Sequence, residues 1–173
     1  MALDLPARNS LTTRQLLFIG IGLGILAVDQ FLKEFFLQTL KPGQPIDFLG
    51  SIIRFTLVFN DGAAFSLGSG QTWIFTVISS LAAVALVGYS LRSKSISWSI
   101  MGGFLLGGIL GNLIDRLFRP PSFGVGHVID YIQIPFNFPI FNIADMAIVT
   151  ICSLSVIRIM LGHEIGKETP KKS

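Results

Sequence analysis

Four long apolar runs dominate the chain, at about 16–36, 72–91, 96–117 and 140–161. Each is close to the roughly 20 residues that an α-helix needs to cross a hydrocarbon core. The pattern therefore predicts four transmembrane helices. In the third run, Gly103, Gly107 and Gly111 recur four residues apart, a ridge of small residues along which a second helix can approach closely. The connections differ from the runs in period. Residues 37–71 begin with turn formers (Pro42, Gly43, Pro45, Gly50) and continue as Ile52-Ile53-Arg54-Phe55-Thr56-Leu57-Val58-Phe59, which reads as β-strand. The β-like part spans about 44–60. Residues 118–139 open with the breakers Pro120, Pro121, Gly124 and Gly126, and 127–134 is again strand-like. The expected fold is an all-α membrane protein of four transmembrane helices, with a small β-sheet in the outer loops. It forms one membrane-embedded domain over residues 1–173, without internal repeats. The polar tail, about 163–173, is expected to be disordered.

Composition narrows this further. Of 173 residues, 51% are hydrophobic and 13% charged, where a soluble domain averages about 25% charged. The mean hydropathy is +0.68. The net charge of +3 comes from basic residues beside the apolar runs, which suits a membrane surface rather than nucleic acid. Cys152 is the single cysteine, so no intramolecular disulfide can form. Its apolar neighbours suggest a small packing residue rather than a nucleophile. Arg8 and Arg14 followed by an apolar run imitate a secretory signal. No small-x-small site precedes Asp29, however, and the run continues beyond it, so it reads as a retained span.

Orientation follows from the basic residues. Arg8, Arg14, Arg92, Lys94, Arg158, Lys167, Lys171 and Lys172 make eight on one side; Lys33, Lys41, Arg54, Arg116 and Arg119 make five on the other. Both termini are expected to be cytoplasmic.

Helix rise then sets the depth of the polar residues. Asp29 stands roughly 22 Å along the first span from Arg14, and Asn112 roughly 24 Å along the third from Ile96. Asp115 and Arg116 follow Asn112, while Asn142 and Asp145 begin the fourth span. Three helices thus carry acids or amides to one outer level, where unpaired ionisable groups cost several kcal/mol. A functional cavity near the outer face explains this, as does an ion-pair network that holds helices together. Asp29 and Lys33 are four residues apart and can pair. Asp115 and Arg116 read equally well as structural. Asn142 can cap the fourth helix, with Asp145 at its third position.

Asp130 lies in the strand-like segment His127-Val128-Ile129-Asp130-Tyr131. Two carboxyls in one low-dielectric site share a proton, and Asp130 with Asp145 would make such a pair. One acid can then act as base toward water while the other protonates a carbonyl oxygen. Spacing alone leaves Asp115 open as the second acid. Rival chemistries lack their residues. The only histidines, His127 and His163, lie in different regions. No zinc-type cluster is present, and no cofactor or metal is expected. A serine triad would require His127 as its base, and an ordinary loop hydrogen bond accounts for it better. A non-enzymatic alternative is a four-helix transporter or proton relay using Asp29 and Asp115, although the cytoplasmic half of the spans has no acids to continue such a path.

Five motifs occur in order: Val28-Asp29-Gln30 with Lys33, Phe59-Asn60-Asp61-Gly62-Ala63-Ala64-Phe65-Ser66, Gly111-Asn112-Leu113-Ile114-Asp115-Arg116, Gly126-His127-Val128-Ile129-Asp130-Tyr131, and Phe141-Asn142-Ile143-Ala144-Asp145. With them the chain resembles the prolipoprotein signal peptidases, the type II bacterial signal peptidases, over residues 14–161. The resemblance implies an intramembrane aspartic endopeptidase of the bacterial inner membrane, with its active site near the outer face. It would remove the signal peptide from diacylglyceryl-modified prolipoproteins, cutting before the lipidated cysteine. It implies Asp130 and Asp145 as the catalytic dyad. Asn60, Asn112, Arg116 and Asn142 would line the site, with Gly62, Asp29, Lys33 and Asp115 in binding or supporting positions. Membrane lipids and globomycin-type cyclic-peptide inhibitors are further implied partners, and a monomer is expected. Phe59 stands where the family often has tyrosine, and 119–124 looks like a longer form of the loop before Asp130.

Overall fold

The computed structural model describes residues 11–50, 52–62 and 70–168. Four helices carry the fold: α1 (Thr13–Thr39), α2 (Thr72–Ser90), α3 (Ile96–Phe118) and α4 (Ile143–Met160). All four are long and apolar enough to cross a membrane, and the chain is a multi-pass membrane protein. The expected spans hold with shifted ends. α1 starts three residues early because Thr12 caps it, accepting from Gln15 N while Gln15 Oε1 accepts from Thr12 N. It ends at Thr39, before Pro42. α4 starts three residues late, because Phe141 is still bridged to Ile132 and Asn142 forms the cap.

α3 is the hub. It contacts α1, α2 and α4, and over half of its span is buried, whereas the other helices turn most of their surface outward. In lipid, this close packing substitutes for hydrophobic burial. The glycine ridge makes it possible. A Cβ added at Gly103 would stand 2.7 Å from Phe18 O, and one at Gly107 2.7 Å from Gly22 O and 2.6 Å from Ile25 Cβ. Gly108 faces the other way, with Ala144 O at 2.7 Å from its would-be Cβ. Gly107→Ala should therefore destabilise the protein by about 1–3 kcal/mol, because the α1 backbone must move. Gly88→Ala, with nothing within 4 Å, should be neutral or gain up to about 1 kcal/mol. Thermal unfolding of the two variants in detergent checks the contrast.

Outside the bundle, β1 (Ile46–Asp47), β2 (Arg54–Asn60) and β3 (Val128–Gln133) form an antiparallel sheet in the order β1-β2-β3. β2 and β3 pair Val58 with Asp130 and Phe59 with Ile129, after a register shift between Phe55 and Val58. The sheet is fastened to the end of α1 by a cluster of Phe36, Leu40, Leu57, Ile129 and Tyr131. There the Phe36 and Tyr131 rings stack with centroids 4.3 Å apart. The longer loop before β3 folds back onto α3 and α2: Gly126 N donates to Arg116 O at 2.9 Å, and Thr76 Oγ1 of α2 to Gly124 O at 2.7 Å.

One further detail differs from the expectations. Cys152 is exposed on α4 rather than packed inside. Beyond α4, Lys94 N of the α2–α3 connector donates to Gly166 O at 2.8 Å. Residues 169–173 lie outside the described residues.

Candidate active site

The two acids singled out by the motifs arrive from different kinds of element. Alternation along β3 turns Tyr131 and Ile129 toward the α1 cluster and Asp130 toward the helices. Asp130 is 1% exposed. Asp145 stands at the third position of α4, where helix N-termini favour negative charge. The capping box expected there is present. Asn142 Oδ1 accepts from Asp145 N at 3.0 Å, and Asn142 N donates to Asp145 Oδ2 at 3.1 Å.

Asn142 joins the acids. Fully buried, it also donates from Nδ2 to Asp130 Oδ1 at 2.6 Å. Both carboxyls are therefore bonded to one asparagine. Each has a second amide donor: Asn60 Nδ2 reaches Asp130 Oδ2 at 2.8 Å, and Asn112 Nδ2 reaches Asp145 Oδ1 at 2.8 Å. Asn60 is held in turn by Gly62 N, which donates to its Oδ1 at 2.9 Å. Arg116 Nη2 donates to Gly62 O at 2.7 Å, and its guanidinium lies 5.2 Å from the centre of the Phe75 ring. Arg116 Nη1 is buried with no hydrogen-bond partner among the described residues. The rest of that motif, Ala63 to Ser66, lies outside the described residues.

Behind the acids is an ion cluster. The Asp29–Lys33 pair expected from spacing is present at 2.9 Å, and Lys33 also reaches Asp115 Oδ2 at 2.8 Å; all three side chains are fully buried. Asp115 further accepts from Arg119 Nε at 2.7 Å, Gln30 Nε2 at 3.2 Å and Ile129 N at 3.2 Å. Asp29 Oδ1 accepts from Ala144 N at 3.0 Å, which ties α1 to the start of α4. The sequence reading overlooked Gln30 and Arg119. Arg119 was legible as the residue four after Asp115, whereas Gln30 lacked any signal beyond its place beside Asp29.

Asp115 and Asp130 therefore differ in environment. Asp115 faces two cations. Asp130 accepts only from neutral amides, and its carboxyl is pushed up to about 7, first by burial and then by the nearby Asp145, against the pull of Asn60 and Asn142. Two such acids, held by amides at one end of the helix bundle, can divide base and acid roles toward a water and a carbonyl.

A separate cleft of about 340 Å³ is lined by Leu37, Phe59, Arg119, Pro120, Pro121, His127 and Ile129. Phe59 and Ile129 put it on the opposite face of the β2–β3 pair from Asn60 and Asp130. The acids, not this cleft, mark the candidate site.

Comparison with known proteins agrees with the geometry. The model of the family described as signal peptidase (SPase) II matches residues 21–161. The lipoprotein signal peptidase of Leifsonia xyli subsp. xyli is 42% identical over 158 residues, covering 91% of this chain and 73% of that protein. The lipoprotein signal peptidase of Mycobacterium avium is 36% identical over 148 residues, covering 86% and 81%. A bacterial membrane enzyme solved by the in meso method superposes with a TM-score of 0.76 at 28% identity, over 90% of this chain and 94% of that one.

Proposed function

Because this chain belongs to the signal peptidase II family, a family of lipoprotein-processing aspartic proteases, we propose that Asp130 and Asp145 are the dyad with which it cleaves prolipoprotein signal peptides. The cut falls just before the lipid-modified cysteine. The observation that carries the dyad is Asn142, whose side chain and backbone bond both carboxyls.

A water held between the acids loses a proton to the ionised carboxylate as its oxygen attacks the scissile carbonyl carbon. The protonated partner gives its proton to the carbonyl oxygen, producing a neutral tetrahedral intermediate. On collapse, one hydroxyl returns its proton to the partner carboxylate, the C–N bond breaks and the proton taken from water passes to the leaving amine. The products are a signal peptide with a new carboxyl terminus and a cysteine with a free amino group. Asn60, Asn112 and Asn142 hold the acids, and the spare Nη1 of Arg116 is a donor for the substrate backbone. Arg14, Arg92 and Lys94 favour cytoplasmic termini in the inner membrane, with the acids near the outer face. Globomycin-type cyclic peptides would block cleavage by occupying the dyad, and the protein would work as a monomer. The ion cluster accounts for Asp29 and Asp115 as scaffold, and family membership sets aside the transporter reading.

The test uses purified protein in lipid vesicles, with a precursor peptide carrying or lacking diacylglycerol. Mass spectrometry should place the cut before the modified cysteine, with the unmodified peptide spared. A cut elsewhere, or equal rates on both peptides, overturns the substrate assignment. Undiminished cleavage by either Asp→Asn variant overturns the dyad.

The mechanism also has a pH signature. It needs one proton on the pair, and Asp130 holds a proton up to about pH 7. Turnover should therefore fall as pH rises through about 7, and a pH–rate profile flat from pH 6 to 9 would contradict this.

A further inference from the structure

Lys33 is fully buried, and its ammonium has three hydrogens to donate and nothing with which to accept. Two of its contacts, Asp29 and Asp115, concern charge. Two others do not: Nζ lies 3.4 Å from Gly111 O and, closer, 2.9 Å from Asn112 Oδ1. Asn112 is the amide that donates to Asp145. We propose that Lys33 is a positioning residue of the reaction, acting through Asn112 to hold the Asp145 carboxylate; this rests on reading Asp145 as a member of the dyad.

The argument turns on the two orientations of an amide, which have nearly the same shape but exchange donor for acceptor. In the orientation present, Asn112 Oδ1 receives Lys33 Nζ and Asn142 Nδ2, the latter at 3.1 Å, while Asn112 Nδ2 faces Asp145 Oδ1. Turned over, its –NH₂ would meet two donors and its oxygen would meet a carboxylate. All three contacts would become repulsive in a water-poor site, where each lost hydrogen bond is expensive. Asn142 is held the same way round, because its Oδ1 accepts the backbone N–H of Asp145, so two donors of fixed sense meet Asn112 Oδ1. Lys33 cannot change from donor to acceptor.

The far end is equally fixed, because Asn142 Oδ1 accepts the backbone N–H of Asp145. A directed chain therefore runs from Lys33 through Asn112 to Asp145, and from Asn142 to Asp130. Lys33 itself cannot drift. Asp29 lies one turn below it on α1, Asp115 faces it from α3, and Asp29 is tied to Ala144, next to Asp145. A simple ion cluster would hold the helices together. This one also holds the polarity of Asn112, the amide that faces Asp145.

The experiment is a double-mutant cycle on the full chain in vesicles with the diacylglyceryl precursor, measuring kcat, KM and thermal unfolding together. Lys33→Met and Asn112→Ala should each lower kcat by about 10²-fold, the usual cost of misplacing a reacting group by about 1 Å, with KM changed by less than about threefold. The double variant should be no slower than the slower single one, because both break the same chain. Multiplying losses overturn the proposal.

Lys33→Met leaves two buried carboxylates without their shared cation, a cost large enough to unfold the chain. For that case Asp29→Asn/Lys33→Met/Asp115→Asn neutralises the cluster. A folded triple variant with low kcat supports the positioning role, and one with wild-type kcat overturns it. If neither Lys33 variant folds, Asn112→Ala decides, since it leaves the Lys33 ion pairs in place. Wild-type kcat there overturns the proposal. Asp145→Asn in the same assay separates the premise: normal cleavage removes the dyad itself, whereas an inactive Asp145→Asn beside a fully active Asn112→Ala removes only the role of Lys33.

Discussion

Replacing Asp130 or Asp145 with asparagine is expected to reduce turnover by at least about 10³-fold while leaving the protein folded. In the proposed mechanism each acid has a proton-transfer role, usually worth about 10²–10⁴-fold, and an amide can neither take a proton from water nor give one to a carbonyl. The replacement keeps the volume, so packing against Asn60 and Asn142 survives with at most one donor–donor conflict. Stability should respond in the opposite sense to activity. The folded-state value for Asp130, about 7, lies above the ordinary 3.8. The folded protein therefore holds this proton more tightly than the unfolded chain, and wild-type stability falls as pH rises from about 4 to about 7. Asp130→Asn lacks that slope. Its unfolding temperature relative to wild type should be higher at pH 8 than at pH 5, whereas a fixed difference at both values would contradict the burial argument.

Asn142→Ala should have the largest combined effect on stability and rate. The side chain is fully buried and serves four partners. Losing the N-cap of α4 costs roughly 1 kcal/mol, and leaving a buried acid short of a donor costs about 1–3 kcal/mol more. A total near 2–4 kcal/mol is expected, with kcat lowered by about 10²-fold because both acids lose a tether. Asn142→Ser separates the two roles. Serine caps as well as asparagine but has no –NH₂ to reach Asp130. Much of the stability should return, and little of the rate. Equal recovery of both would mean that Asn142 acts only as a cap.

The comparison of Asp115 with Asp130 shows where reading from sequence stopped. Both are acids expected at the same level, and spacing could not choose between them. In the folded chain Asp115 is committed to Lys33, Arg119, Gln30 and the backbone of Ile129. Asp130 is left with neutral amides and the neighbouring Asp145. The pair Asp29–Lys33 was readable because both residues share one helix face four residues apart. The link from Lys33 to Asp115 was not, since it depends on how closely α1 and α3 cross. That approach is set at Gly111, where a Cβ would stand 2.5 Å from Asp29 Oδ2.

The caps were legible to different degrees. Asn142 and Asp145 could be placed in a capping box from their spacing, and the box is present. Thr12 was passed over because the apolar run begins after it, although its bonds with Gln15 start the helix earlier. Cys152 was misjudged for a related reason. In a membrane helix an apolar neighbourhood does not distinguish the packed side from the lipid side.

By itself, the order of apolar and polar residues determined four spans, a pair of strand-forming loops and the delivery of acids and amides to one level, because helix rise and strand alternation are local properties of the backbone. Which acid meets which partner was decided only by the tertiary structure. Hydrogen bonds between Asn60, Asn112, Asn142 and the two acids join residues 12 to 70 positions apart, and a contact at that separation depends on helix crossing and strand register.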